Sequence, residues 1–139
     1  MQTFLYPASV TAFAPGDFVI RFRDVPEAIT GGGDHKAAIA EASDALACAI
    51  EGYLKRGWPV PEPSPPQDGE VLIALEPAVA ARVILVDAMA KQGLTKVALA
   101  ARINRDEKVV RRILSGKGAS FQVTLDALHA LGVWPSLAI

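Results

Sequence analysis

The residues with most to offer chemically are Lys96, Lys108, Arg111, Arg112 and Lys117, with Asp106 and Glu107 set among them. Lysine and arginine donate to phosphate oxygens, and arginine can make a paired contact to a guanine edge. A carboxylate there can accept from the cytosine amino group. Lys108 and Arg111 stand three apart, so on a helix they share one face. Catalytic chemistry has far less support. A metal-dependent nuclease needs several carboxylates converging on two ions, and residues 3–14 contain no Asp or Glu. Asp17, Asp24 and Asp34 fall at turns and a helix start, while His35 and His129 have no partner in sequence. Cys48, the only cysteine, lies in an alanine-rich helical stretch and reads as a small core residue. Gly31-Gly32-Gly33 lacks the spacing of a phosphate cradle and reads as a loose turn. The expectation is a binding protein with no catalytic residue, metal or cofactor.

The elements that must position the cations follow from periodicity and caps. Thr95 can cap a helix carrying Ala98, Leu99, Ala100 and Ile103; Asn104-Arg105 makes a turn in which Asn adopts the left-handed conformation. Asp106 caps a second helix, buried through Val109, Val110, Ile113 and Leu114 and ended by Gly116. A further helix runs from Gln122 to Leu131. Two short helices joined by a tight turn form a helix-turn-helix unit, whose second helix reads bases from its N-terminal end. Lys96 and Lys117 then stand where they can hold the phosphate backbone. Upstream, Pro77 opens a helix over about 78–91, with Val79, Val83, Val86 and Ala90 on one face.

The first half has a different rhythm. Residues 3–14 alternate as a strand, with Pro7 implying an exposed edge or a bulge. Pro15-Gly16 has type II turn chemistry, and Phe18, Ile20 and Phe22 form one face of a second strand. Ala28-Ile29-Thr30 forms a short third strand before the glycines. Asp34 caps a helix that ends at Lys55-Arg56-Gly57. Five prolines between 59 and 69 resemble a linker, yet Val71–Leu75 reads as a strand that needs a sheet to join. The loop therefore belongs to the first domain. This yields an α+β protein with domains at 1–76 and 77–139.

Charge divides the same way. Residues 1–77 carry five basic and eleven acidic residues, a net of −6, whereas 78–139 carry nine and four, a net of +5. A basic half suits a polyanion and an acidic half a basic protein. There is no signal-peptide pattern and no apolar run of the ~18–20 residues that span a bilayer, so a soluble, cytoplasmic protein without a membrane partner is expected. Each half falls below the ~80 residues at which one core is comfortable, and helix-turn-helix proteins bind paired half-sites. A homodimer or higher oligomer is expected.

Two resemblances sharpen this. Leu94-Thr95-x-x-x-Leu99-Ala100-x-x-x-Asn104, then Val110-x-Arg112-Ile113-x-x-Gly116, resembles the lambda-repressor-like helix-turn-helix family over about 40 residues. Asn104 stands where that family prefers Gly, and Asp106-Glu107 where it has Ser-Arg. The first half is similar to HicB antitoxins in Gly16-Asp17-Phe18-x-Ile20-x-Phe22, Asp24-Val25-Pro26 and Ala28-x-Thr30-Gly31-Gly32, then the alanine-rich helix, the proline loop and Val71-Leu72-Ile73. Arg23 and Glu27 depart from the usual Pro and Gly. The resemblance implies a truncated ribonuclease-H-like sheet with one helix, followed by a small helical DNA-binding domain. It also implies a partner, a small basic HicA-type ribonuclease toxin, and repression of the pair's own operon. Asp17, Asp24, Glu27 and Asp34 are the acidic residues assigned to toxin contact. The competing expectation is a plain dimeric helix-turn-helix regulator whose first domain dimerises or senses a ligand.

Overall fold

The computed structural model describes residues 3–136. The protein is α+β, and it divides into two compact units at the Glu76/Pro77 boundary.

The first unit is a four-stranded antiparallel sheet with one long helix. Its strands are β1 (Leu5–Ala14), β2 (Asp17–Phe22), β3 (Ile29–Gly32) and β4 (Val71–Ala74), in the order β3-β2-β1-β4. Gly16 has a φ of 78°, as the third residue of a type II turn requires. The pairs Ala8–Phe22, Val10–Ile20 and Tyr6–Ile73 put these residues on one face. Helix α1 (His35–Arg56) packs there against β2, β3 and β4 through Ala38, Ala42, Leu46 and Ile50. Asp34 accepts from the Ala37 backbone N–H at 2.7 Å, and Gly57 closes the helix at a φ of 68°.

Several sequence expectations need correction. Pro7 does not mark an edge: β1 is central, and pairing to β2 begins only at Ala8–Phe22, one residue beyond the proline. The bulge in β1 lies instead between Ala12 and Ala14. The glycines are not a loose turn either. Gly31 and Gly32 belong to β3, and a Cβ on Gly32 would lie 2.7 Å from the Ala38 backbone nitrogen. A side chain there would drive α1 off the sheet, so these glycines serve close backbone approach. Cys48 is exposed, because the buried stripe of α1 passes through Leu46, Ala47 and Ile50 and leaves it outside.

The proline-rich segment is tied to the sheet. The Tyr6 hydroxyl donates to the Pro61 carbonyl at 2.7 Å; Asp24 accepts from the Ser64 N–H and hydroxyl at 2.8 and 2.6 Å. Arg23 donates to Glu70 at 2.8 Å and to the Pro65 carbonyl at 3.0 Å. Burial, reinforced by Asp24 and Glu62, pushes the Tyr6 phenol up to about 12.

The second unit holds α2 (Pro77–Gln92), α3 (Lys96–Arg102), α4 (Glu107–Ser115) and α5 (Phe121–Ala130). Its core joins Leu85 and Met89 of α2, Leu99 of α3, Val110 and Ile113 of α4, and Leu128 of α5. The expected α2 stripe needs revision: Val86 and Ala90 are exposed, while Ala81, Leu85, Ala88 and Met89 turn into this core. A helix apolar on nearly all sides carries no periodic signal to choose between faces.

Candidate functional site

Helices α3 and α4 are joined by Ile103–Asp106, and three local devices hold this element. Thr95 accepts from the Ala98 N–H at 3.1 Å and caps α3. Asn104 has a φ of 54°, and among the described residues it is the non-glycine residue with positive φ. Asp106 accepts from the Lys108 N–H at 2.9 Å and caps α4. With Val110 and Ile113 buried, helical geometry turns Lys108, Arg111 and Arg112 outward, and all three are exposed. Glu107 accepts from the Arg111 guanidinium at 2.8 Å across one turn, with Arg111 still 62% exposed. Lys117 is exposed just past the Gly116 cap. Lys96 is exposed on the first turn of α3. The arrangement is a short, well-capped helix whose outer face is cationic, with two carboxylates at its N-terminus.

The four acidic residues singled out in the first unit are not gathered into one patch of free carboxylates. Asp17 is exposed at the start of β2. Asp24 is engaged by Ser64, and Asp34 caps α1. Glu27 accepts from the Tyr53 hydroxyl at 2.7 Å, a bond that holds its carboxyl below the usual range and raises the Tyr53 phenol. Glu27 also borders a shallow cavity of about 450 Å³ with Ile29, Cys48, Tyr53, Arg56 and Trp58. Trp58 packs edge-on to Tyr53 with ring centroids 5.8 Å apart, and the Arg56 guanidinium lies 5.0 Å from its ring centre.

The comparisons with known proteins bear on both units. A family model described as HicB_like antitoxin of bacterial toxin-antitoxin system matches residues 5–84. The chain belongs to the HicB-like antitoxin family. Among its curated relatives, Antitoxin HicB of Escherichia coli (strain K12) is 31% identical over 110 residues, covering 79% of this chain and 80% of that protein. Antitoxin HicB 2 of Photorhabdus laumondii is 31% identical over 116 residues, covering 83% and 82%. Antitoxin HicB 1 of the same organism is 32% identical over 108 residues, covering 78% and 68%.

Within this HicB-like chain, sequence reasoning missed some residues beside the cationic helix. Arg82 of α2 is buried, with its guanidinium against Gly116, where a Cβ would collide with Nη1. A cation suits this place, because the C-terminal end of α4 is the negative end of the helix dipole. Arg82 sits in a run of alanine, valine and leucine, and an arginine inside an apolar run is the signal that could have found it. Arg102 and Arg105 are also exposed beside the α3–α4 turn. Among the described residues no helix is long and apolar enough to cross a membrane.

Proposed function

We propose that this HicB-like chain binds and neutralises a HicA-type mRNA-cleaving toxin, and represses its own operon by binding operator DNA. In this reading the first unit, residues 1–76, contacts the toxin. The second, 77–139, is a helix-turn-helix DNA-binding domain with α4 as its recognition helix. The chain works in the cytoplasm as a homodimer or higher oligomer, as a binding protein and not an enzyme. The observation that carries the DNA half is the exposed cationic face of α4 behind the left-handed Asn104 turn. Family membership and the net charge of −6 on the first half support a basic protein partner.

The test begins with mass spectrometry of what co-purifies with the tagged protein from its host. A small basic protein at near-stoichiometric yield is expected. If the protein purifies alone and still binds its promoter, the plain dimeric regulator replaces this reading. On DNA, Lys108→Ala or Arg111→Ala should weaken operator binding, by about 1–3 kcal/mol where the contact is to a base. Wild-type binding by both variants would remove α4 from the interface.

A further inference from the structure

Arg82 of α2 is a charged side chain in an apolar neighbourhood. It is 7% exposed, and Ala81, Val83 and Leu85 beside it in the helix are buried as well. Taking a guanidinium out of water is costly, and an apolar side chain of similar volume often serves stability as well or better. Packing alone therefore does not call for an arginine here. Its guanidinium fills the space where a side chain on Gly116, the residue that closes α4, would stand. A Cβ on Gly116 would collide with Nη1 and Cζ and lie 3.0 Å from Nη2.

Gly116 differs in this from the other left-handed glycines of its unit. Gly93 and Gly132 also have positive φ, 64° and 78°, and a Cβ on either would meet nothing within 4 Å. Backbone conformation alone accounts for them. Gly116, at a φ of 74°, is in addition the seat of a side chain from another helix. Helix α4 is fixed at its start by the Asp106 cap and along its length by buried Val110 and Ile113. At its far end it meets Arg82. Lys117 follows directly and is tied to the last turn: its backbone N–H donates to the Ser115 hydroxyl at 3.3 Å, which donates to the Arg112 carbonyl at 3.1 Å. Where Gly116 rests therefore decides where the exposed Lys117 stands.

We infer that Arg82 is a positioning residue of the proposed DNA face: it acts through Gly116 to hold the last turn of α4 so that Lys117 meets a phosphate. Arg82 is itself too buried to make that contact. The inference rests on the proposed DNA-binding reading, to which it adds a residue outside the helix-turn-helix.

Anisotropy titrations of the full chain on a generic duplex, over a series of salt concentrations, test it. They are run at a temperature where thermal melts show each variant folded. Phosphate contacts set the slope of affinity against salt, so the slope reads whether Lys117 makes its contact. Arg82→Met is expected to weaken binding and to flatten the slope as much as Lys117→Ala does, by about 1 for each bound copy. Combining the two should flatten it no further, because both remove the same contact. Gly116→Ala displaces the guanidinium while leaving its charge in place, and the same flattening is expected. That variant also carries the test if Arg82→Met does not fold. Gly132→Ala strains a left-handed glycine with no neighbour, so it should lower the melting temperature and leave the slope unchanged. A wild-type slope in Arg82→Met or Gly116→Ala, or a double variant that loses the sum of the two single changes, overturns the inference and leaves the DNA reading standing. A wild type that binds no duplex sinks the DNA reading, and this inference with it.

Discussion

At the scale of single residues, the informative groups are those whose polar atoms already have partners. Tyr6 is wholly buried, and its hydroxyl is spent on the Pro61 carbonyl. Its phenol is raised from 10 to about 12, so the folded state holds that proton more tightly than the unfolded chain. The resulting stability is fully present below pH 10 and is lost as pH rises from 10 through about 12. Tyr6→Phe should therefore lose about 0.5–1.5 kcal/mol at neutral pH and lack this alkaline loss. Denaturant titrations at pH 7 and pH 11 measure both effects, and equal alkaline losses in the two proteins would refute the assignment. Glu107 offers a second test. It holds Arg111 in an exposed ion pair, which in the proposed DNA-binding reading must open before Arg111 reaches DNA. Such pairs are worth about 0.3–0.5 kcal/mol. Glu107→Gln should tighten duplex binding about twofold while slightly lowering the melting temperature, since α4 loses an acidic residue at its N-terminus. Fluorescence anisotropy and a thermal melt read the two opposite signs; weaker binding would mean that Glu107 itself contacts the DNA.

At the scale of elements, the α3–α4 turn depends on a left-handed residue. Asn104 tolerates a φ of 54°, whereas a β-branched side chain there is a steric outlier. Asn104→Val should cost about 1–2 kcal/mol, and Asn104→Gly should stay within about 0.5 kcal/mol, both measured by chemical denaturation. Equal stability in the two variants would show that this turn relaxes freely. Caps and turns of this kind were readable in advance: Asp34, Gly57, Thr95, Asp106 and Gly116 all stand where local chemistry put them. What escaped the sequence depended on how one element packs against another. Gly32 is small because Ala38 of α1 passes over it, and Pro7 sits inside the sheet because β2 ends beside it. The buried side of α2 could not be chosen from a helix that is apolar almost all round. The same reason hid Arg82, whose place follows from where α4 ends. Of the acidic residues singled out, Asp24 and Glu27 owe their bonds to Ser64 and Tyr53, partners that sequence spacing does not announce.

At the scale of the whole molecule, the separation of charge becomes measurable through salt. The proposed DNA face carries five cations: Lys96, Lys108, Arg111, Arg112 and Lys117. Each phosphate neutralised releases condensed counterions, so the logarithm of affinity falls with the logarithm of salt at about −0.9 per contact. One copy using all five cations gives a slope of about −4.5, and two copies on paired half-sites give about −9. The slope therefore counts copies as well as cations. Lys117→Ala adds an internal calibration. Removing one phosphate-binding cation from each of two copies should flatten the slope by about 2, and from a lone copy by about 1. Anisotropy titrations of the full chain between 50 and 200 mM salt supply these numbers. A slope near zero would mean that the cationic face of α4 does not meet DNA, and a Lys117→Ala change of about 1 would mean that one copy binds alone.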